Sequence, residues 1–334
     1  MAANNKNAAD AATNNENTAD IFDSGKSESQ AKRRFDFVSA GFIEDLCSRA
    51  AEGLDSEDFF SFTEEINSFF KRFGLTDIII FKKIGKTGKT ERTDKTERTD
   101  KTGRTDKTER TESGFNDVCE MLLNNTGNSG IRYYRGAEIE ADNENTLYSL
   151  IRKERPNADI IAVRSSDEKV IRAAAESLEA DLIIPVSYSH SAGRSQNGNG
   201  SNASGLHVSA GPINHIVAKI AKDKKTVFAF DLYPFLQTKG YRRSKLFSDC
   251  MEMIPILRKY RVPVLLFSGA GSFYDFRGPY ESEAFGALLG LSRDETVSAV
   301  SEYFAEIIER RQKQKSGKLL MTGVEIVEDA DIDA

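Results

Sequence analysis

A predicted helix over residues 212–222 carries the side chains of this chain that are best arranged to bind an anion. His215, Lys219 and Lys222 stand at positions i, i+4 and i+7, so they share one helix face. The opposite stripe is apolar and consists of Ile213, Ile216, Val217, Ile220 and Ala221. A line of ammonium and imidazole donors suits contact with the phosphates of a nucleic acid. A solvated helix face without a ligand has the same pattern, and that interpretation stays open.

Two arginines follow predicted strands. Arg164 comes directly after one strand, and Arg277 lies in the loop after another. If the strands form a barrel, both arginines reach its C-terminal face, where such barrels bind their ligands. The planar guanidinium suits a phosphate or the face of a base. For Arg277 the alternative is an ion pair with Asp275 or Glu281 that holds its loop.

Lys169 and Arg172 form a smaller basic pair on a predicted helix, three residues apart. They either contact RNA or support helix packing. A third basic segment, ERRQKQKSGK at 309–318, ends a long predicted helix. Cations are favourable at a helix C-terminus because they complement the helix dipole, so this charge is interpreted as structural.

Tyr241 stands directly before a basic cluster of Arg242, Arg243 and Lys245. An aromatic ring among cations suits stacking on an exposed nucleotide. A solvated basic helix start is the alternative.

Short apolar strands alternate with helices along most of the chain, and these elements must position the basic residues. The strands lack a clean alternation of polar and apolar residues, as in a parallel sheet that is buried on both faces. The simplest fold is a closed or nearly closed TIM-like (β/α) barrel. The last predicted helix runs without a break from Asp294 to about Lys315. About eight strands are predicted, around Phe35, Ile78, Tyr133, Ile160, Leu182, Val227, Val264 and Val324.

Three segments are too polar to bury much apolar surface and are predicted to be disordered. Residues 1–31 are rich in Asn, Ala and Ser, residues 86–112 repeat a basic–Thr–acidic or Gly tripeptide, and residues 187–210 are mostly Ser, Gly and Asn. We therefore predict a single barrel domain over residues 32–328 that contains the second and third of these segments. An acidic tail, residues 329–334, follows it.

The net charge of −6 arises from the leader, the last ten residues and the tripeptide repeat, and not from the rest of the chain. Residues 1–31 carry five acids and two bases, the last ten residues carry five acids, and the tripeptide repeat carries nine bases and seven acids, so the remaining body is neutral. A neutral body with its bases on one face can still bind RNA.

The three cysteines are far apart and show no CxxC spacing, which fits a reducing compartment without structural zinc. The longest apolar runs are only strand length, so we expect a cytoplasmic protein that does not enter a membrane.

Six segments resemble the ribonuclease P protein component 3 family, the barrel-shaped protein subunits of archaeal and eukaryotic ribonuclease P. The most specific combination is the His-x-x-x-Lys helix, the strand after it and the PVLLFSGA strand. With their spacing, the segments cover most of residues 131–328. They are GAEIEADN (136–143), AVRSSDEKVIRAAAE (162–176), EADLIIP (179–185), INHIVAKIAKDKKTVFAFDL (213–232), RKYRVPVLLFSGA (258–270) and TGVEIVE (322–328).

This resemblance implies a TIM-barrel-like fold related to the PHP hydrolases. It also implies membership of a ribonucleoprotein that removes 5′ leaders from precursor tRNA. Catalysis in that family belongs to the RNA subunit and its Mg²⁺, so no cofactor is expected on this chain. The expected partners are the ribonuclease P RNA, precursor tRNA and the other protein subunits. Ser165 and Ser166 stand where the family often has a Gly pair, and Asp231 stands where it often has Asn.

The residues for an independent hydrolase are missing from the expected places. A PHP-type metal site begins with an HxH pair on the first strand, where this chain has FDFVS, and only three histidines occur in the whole sequence. Asp36 and Asp231 stand at strand ends but do not by themselves define an acid–base pair. Ser268 lacks the spacing of a nucleophile elbow. The string GKTGKT lacks the first Gly of a phosphate loop, because position 83 is Lys83.

We therefore predict a noncatalytic protein subunit of ribonuclease P, with no catalytic or metal-binding residue of its own. The alternative is a PHP-like barrel hydrolase that acts on a phosphorylated small molecule. The predicted RNA-binding residues are Arg164, Lys169, Arg172, His215, Lys219, Lys222, Arg242, Arg243 and Arg277.

Overall fold

A computed structural model describes residues 34–39, 42, 56–85, 122–123, 130–190, 206–316, 319–321 and 324–325. The predicted disordered leader, the tripeptide repeat and the acidic tail lie outside these residues.

The centre of the fold is a seven-stranded sheet in which every neighbouring pair is parallel. From one edge to the other, the sheet consists of the first five strands in chain order, followed by the eighth and the ninth. This order follows the chain, as in a TIM-like barrel, and confirms the predicted fold class. The strands are β1 (Phe35–Ser39), β2 (Asp77–Ile84), β3 (Arg132–Glu140), β4 (Ile160–Arg164), β5 (Leu182–Ile184), β6 (Val186–His190), β7 (Leu206–Ala210), β8 (Val227–Asp231), β9 (Val264–Phe267), β10 (Leu319–Met321) and β11 (Val324–Glu325).

The barrel is closed by the Asp36 side chain where β1 meets the end of β9. The backbone N–H and the hydroxyl of Ser268 donate to this carboxylate over 2.8 and 2.7 Å, and the Phe37 N–H donates over 2.8 Å. A single backbone bridge joins Val38 to Ala270. A buried carboxylate therefore replaces most of the ladder that an eighth strand would supply.

The predicted eighth strand around Val324 is not part of the barrel. Val324 and Glu325 pair instead with β10 in a separate antiparallel ribbon. Because Asp36 and Ser268 already join β1 to the end of β9, the sheet curls nearly shut with seven strands.

Helices flank the sheet and run back from the C-terminal to the N-terminal ends of the strands. Gly74 follows the first of them with φ +70°, a left-handed conformation that favours glycine and ends the helix. The helices are α1 (Ser56–Arg72), α2 (Glu144–Glu154), α3 (Glu168–Glu176), α4 (His215–Lys224), α5 (Tyr233–Gln237), α6 (Gly240–Lys259), α7 (Pro279–Leu288), α8 (Arg293–Ala299) and α9 (Glu302–Lys315). In the part of the chain that the structure describes, no helix is long and apolar enough to cross a membrane.

The predicted uninterrupted helix from Asp294 to Lys315 is broken into α8 and α9. The Val300 carbonyl accepts a hydrogen bond from the Phe35 N–H of β1 over 3.3 Å, and Ser301 leaves the helical conformation at φ −142°. Contact with the barrel edge therefore competes with the internal helix bonds at this point.

The prediction of disorder over 187–210 is wrong at both ends of that segment. Residues 186–190 and 206–210 pair antiparallel as β6 and β7, with Tyr188 opposite Val208. Val186 is buried, and Tyr188 packs on the end of the barrel, so a few apolar side chains anchor a segment whose composition is mostly polar.

Aromatic and aliphatic side chains fill the barrel interior. Gly136 makes room for them, because a Cβ at this position would lie 2.4 Å from the Phe81 ring. Helix α9 closes the N-terminal end, where Phe304 packs with ring centroids 4.1 Å from Phe35 and 5.2 Å from Phe37. The opposite end of the interior is polar.

Candidate nucleic-acid interface

Three buried charged side chains meet inside the C-terminal end of the barrel, and we call them the barrel mouth. They are Glu138 of β3, Arg164 of β4 and Asp231 of β8. Arg164 binds Glu138 through both forks of its guanidinium, with Nε 2.9 Å from Oε1 and Nη2 3.1 Å from Oε2. Its Nη2 also lies 2.9 Å from Asp231 Oδ2, and its Nη1 donates to the Val186 carbonyl over 2.8 Å.

The electrostatics of the barrel mouth favour a charged arginine. Burial opposes the charge, but the carboxylates of Asp231 and Glu138 raise the pKa of Arg164 well above its usual value. Burial also disfavours the Glu138 carboxylate, yet the Arg164 charge outweighs it and lowers the Glu138 pKa. Burial raises the pKa of Asp231, whose oxygens have only the ion pair and no hydrogen bond within the described residues.

The hairpin of β6 and β7 covers this cluster with Tyr188. The Arg164 guanidinium lies 4.7 Å from the centroid of the Tyr188 ring, and Lys83 Nζ lies 4.8 Å from it. Lys83 Nζ also lies 3.3 Å from the Tyr188 hydroxyl. The polar end of the barrel is therefore covered by an aromatic ring.

Arg164 is not available to RNA, in contrast to the prediction from the sequence. It ends a strand at the C-terminal face as predicted, but only 2% of it is exposed. Two carboxylates and a carbonyl already use its donors. Arg164 thus serves as the internal counter-ion of the barrel mouth rather than as an RNA ligand.

The Arg164 guanidinium already lies between the two buried carboxylates of the barrel mouth, so the protein itself supplies their counter-ion. Elsewhere in the described residues, no group of three or more His, Cys, Asp or Glu side chains is close enough together to hold a metal ion.

Outside the barrel, the N-terminal halves of α3 and α4 present Lys169, His215 and Lys219, which we call the α3–α4 face. All three side chains are exposed. The helix starts are fixed side by side, because Asn214 caps α4 and its Nδ2 donates to Glu168 Oε1 over 2.7 Å. The predicted helix face of His215 and Lys219 is thus joined by Lys169 from the neighbouring helix.

Two predicted neighbours of the α3–α4 face are less available. Arg172 is exposed but forms an i,i+4 ion pair with Glu176 at 2.9 Å. Lys222 is only partly exposed.

The guanidinium groups of Arg243 and Arg277 donate to backbone carbonyls rather than to acidic side chains. Arg243 donates to the carbonyls of Thr238 and Leu236 over 2.6 and 3.3 Å. Arg277 donates to the carbonyls of Tyr274 and Phe276 over 2.9 and 2.6 Å. Neither predicted ion pair of Arg277 is among its contacts. Both arginines are partly buried.

Arg242 is exposed, as predicted. Its neighbour Tyr241 is 82% exposed. The sequence predicted this pair as an RNA contact, and its exposure is compatible with one.

The structural interpretation of 309–318 is supported by ion pairs beneath the barrel. Arg310 and Arg311 both contact the buried Asp181 carboxylate, which also binds Arg155 at 2.8 Å. Lys315 pairs with Asp159.

Glu138 and Tyr188 are the site residues that the sequence reasoning missed. Glu138 lies within GAEIEADN, and only the register of β3 beside β4 brings it to Arg164. In that register Arg164 lies opposite Glu140, and Glu138 is two residues earlier on the same strand. Tyr188 lies in a segment that its composition marks as unstructured. The barrel signal could have suggested an inward-facing residue at the end of β3, but no local pattern indicated Tyr188.

Comparison with known proteins gives one consistent result. The model of the family described as RNase P subunit p30 matches residues 61–316. Ribonuclease P protein component 3 of Methanococcoides burtonii is 31% identical over 213 residues, which cover 64% of this chain and 80% of the relative. The protein of the same description from Methanosarcina mazei is 30% identical over 203 residues, which cover 61% of this chain and 76% of the relative.

The fold comparison agrees with this result. A chain in the solved structure described as archaeal ribonuclease P with mature tRNA is similar with a TM-score of 0.55 and 17% identity. The alignment covers 89% of this chain and all of that one. At this identity the similarity concerns the fold.

Proposed function

The chain belongs to the RNase P subunit p30 family, and from this premise we propose that it acts as a noncatalytic protein subunit of ribonuclease P. The observation that carries the proposal is the family match over residues 61–316, which includes the barrel mouth and the α3–α4 face. The solved structure of similar fold is described as archaeal ribonuclease P with mature tRNA, which supports an RNA-containing assembly.

The proposed role is electrostatic. The exposed cations of the α3–α4 face neutralise phosphates of the ribonuclease P RNA and release counterions from it, which stabilises the folded RNA. Arg242 adds a further exposed cation at the same end of the barrel. Catalysis and the Mg²⁺ ions belong to the RNA subunit, which cleaves 5′ leaders from precursor tRNA. Other protein subunits bind surfaces that the RNA leaves open, and we expect the complex in the cytoplasm.

Reconstitution tests the assignment. Precursor-tRNA cleavage is measured with catalytic RNA and the other protein subunits, with and without this chain. We expect the chain to raise the rate or lower the Mg²⁺ requirement. If its omission changes neither, it is not a functional subunit of this enzyme.

A paired variant tests the α3–α4 face. Lys169→Ala with Lys219→Ala removes two proposed phosphate contacts, so the slope of log affinity against log salt for the RNA should become shallower by about 1 per lysine. Filter binding over a salt series measures the slope.

Lys153→Ala with Lys224→Ala is the matched control, because both lysines are exposed, lie in the last turns of α2 and α4, and remove the same charge. Equal slopes for the two double variants would contradict a phosphate contact at the α3–α4 face and leave only general charge attraction.

A further inference from the structure

Exposed basic residues surround the end of α9, at the N-terminal end of the barrel. Arg152 and Lys153 lie in the last turn of α2. Lys224 lies in the last turn of α4, and Lys225 follows it directly. All four side chains are exposed, and we call these four residues the basic end.

Helix α9 is tied to both of these helix ends. Arg310 of α9 donates to the Lys225 carbonyl over 2.7 Å, which joins α9 to the end of α4. Lys315, the last residue of α9, pairs with Asp159. The Asp159 carbonyl accepts a hydrogen bond over 2.8 Å from Arg155, the residue directly after α2. The chain therefore leaves α9 beside the basic end.

The layer beneath the basic end adds positive charge instead of removing it. The buried Asp181 carboxylate pairs with three arginines, which are Arg155, Arg310 and Arg311. One negative charge thus faces three positive ones. Two positive charges of this layer are left without a matching carboxylate.

Other negative charges at this place compensate only in part. Glu154 and Asp223 lie at the ends of α2 and α4, and the C-terminus of each helix adds about half a negative charge. Within the described part of the chain, neither carboxylate forms an ion pair with a residue of the basic end. The positive surplus therefore attracts an anionic partner.

The chain itself supplies an anion that starts at this place. Glu325 of β11 pairs with Leu319 of β10, so the chain has returned close to the end of α9 at Glu325. Residues 326–334, which lie outside the described residues, contain four acids and no cation. The acids are Glu328 and, in the acidic tail, Asp329, Asp331 and Asp333.

The length of this segment suits a contact within one molecule. Nine residues can extend about 30 Å from Glu325, which is about the diameter of a small domain. The short tether gives the acidic tail an effective concentration of about a millimolar at the basic end. A single exposed ion pair contributes little, but several on one tethered segment act together.

We infer that Glu328 and the acidic tail bind the basic end of their own chain and compete there with other polyanions. The contact itself does not depend on the proposed function. Its consequence for the RNA does: with the basic end occupied, an RNA finds available cations at the α3–α4 face, at the other end of the barrel.

The first test is carbodiimide crosslinking of the full chain at low salt, followed by mass spectrometry. Carbodiimide joins a carboxylate directly to an amine that it contacts. We expect links from Glu328 or the acidic tail to Lys153, Lys224 or Lys225, and their loss at about 1 M salt, where the Debye length is about 3 Å. The pair of Lys315 and Asp159 is the internal control for the reaction.

An equal mixture of unlabelled and 15N-labelled chains shows which molecule supplies the tail. Links within one chain carry a single label and support the inference. Links that join labelled to unlabelled chains would identify a second copy as the occupant and overturn it. A sample that links Lys315 to Asp159 but links no tail acid to the basic end would also overturn it.

The second test measures the affinity for a short labelled RNA duplex by fluorescence anisotropy. A tail variant without these charges should bind the duplex about threefold or more tightly than the parent. Its slope of log affinity against log salt should be steeper by about 1 for each cation that becomes available. The tail variant is Glu328→Gln with Asp329→Asn, Asp331→Asn and Asp333→Asn.

A matched control removes the same charge from exposed acids elsewhere on the surface. Because general attraction acts in both variants, only the excess affinity of the tail variant reports the contact. Equal affinities would refute the inference. The control variant is Glu64→Gln with Glu65→Gln, Glu252→Gln and Asp294→Asn.

The site of the contact is tested by adding Lys153→Ala and Lys224→Ala to the tail variant. The excess affinity should then be reduced, because the two sets of charges are coupled. An undiminished excess would show that the acidic tail binds somewhere other than the basic end.

The proposed function fails separately, because both tests use this chain without the ribonuclease P RNA. If the tail links form but reconstituted cleavage does not respond to the chain, the tail contact stands and the proposed function falls. If cleavage responds and no tail links form, only the tail contact is refuted.

Discussion

The barrel mouth and the α3–α4 face use cations in opposite ways. Inside the barrel, Arg164 is buried between two carboxylates, and its charge is neutralised before any ligand arrives. On the outside, Lys169 and Lys219 are exposed in the N-terminal halves of two neighbouring helices. The same residue class therefore stabilises the fold in one place and remains available for a polyanion in the other.

The difference shows that position at the C-terminal face of a barrel does not by itself identify a ligand contact. A cation there can serve as the counter-ion of acidic residues on neighbouring strands. The number of carboxylates within reach decides between the two roles, because each ion pair consumes donors and charge.

Removal of the interior cation should have the largest effect. Arg164→Met leaves Glu138 and Asp231 buried without their counter-ion, and breaking a buried ion pair from one side costs about 3–5 kcal/mol. Urea denaturation followed by circular dichroism measures the loss in free energy of unfolding.

A triple variant shows whether charge is the cause. Arg164→Met combined with Glu138→Gln and Asp231→Asn leaves no unpaired charge and should regain much of the loss. Lys219→Met removes a solvent-exposed cation and should stay within about 0.5 kcal/mol of the parent. If Arg164→Met were as stable as Lys219→Met, the interior network would not be stabilising.

Asp36, where β1 meets the end of β9, is a buried carboxylate with no cation beside it among the described residues, in contrast to Glu138. Burial raises the pKa of Asp36 from 3.8 to about 7, although hydrogen bonds from Ser268 and Phe37 lower it in part. The unfolded chain releases this proton near pH 4, so between pH 4 and 7 the folded state binds more protons. The free energy of unfolding contributed by Asp36 should therefore fall as pH rises through this range, by at most about 4 kcal/mol, and stay level above it.

Asp36→Asn isolates this contribution. Asn keeps an acceptor for the backbone N–H groups of Ser268 and Phe37 but does not titrate. The difference in unfolding free energy between parent and variant, measured by urea denaturation from pH 4 to 8, cancels the other titrating groups. A difference that does not change with pH would show that Asp36 keeps an ordinary pKa.

The smallest effect belongs to the exposed pair of Arg172 and Glu176. Its side chains are 57% and 43% exposed, and a surface i,i+4 pair contributes about 0.5 kcal/mol or less. Arg172→Ala should therefore change the midpoint of thermal unfolding only slightly. A loss as large as that of Arg164→Met would mean that the contrast between interior and exterior cations is mistaken.

The sequence was sufficient for the barrel because its signals are local. Apolar strands and helical spacing each depend on neighbours within a few positions, and all seven sheet strands were predicted from them. The failures came from contacts between distant segments. The break between α8 and α9 depends on Phe35, and the Val324 strand was counted in a barrel that Asp36 already closes.

The candidate site was predictable in part for the same reason. His215, Lys219, Lys169 and Arg242 are exposed, and a helix pattern is enough to place such residues on a surface.

By itself the sequence determined the order of strands and helices, the resemblance to one family and the supply of basic residues. Only the tertiary structure decided which of these basic residues stay available to bind a ligand. Arg164 meets Glu138, 26 positions away, and Asp36 meets Ser268, 232 positions away. The strength of an ion pair or a buried hydrogen bond depends on distance in space and on desolvation, and neither follows from spacing along the chain.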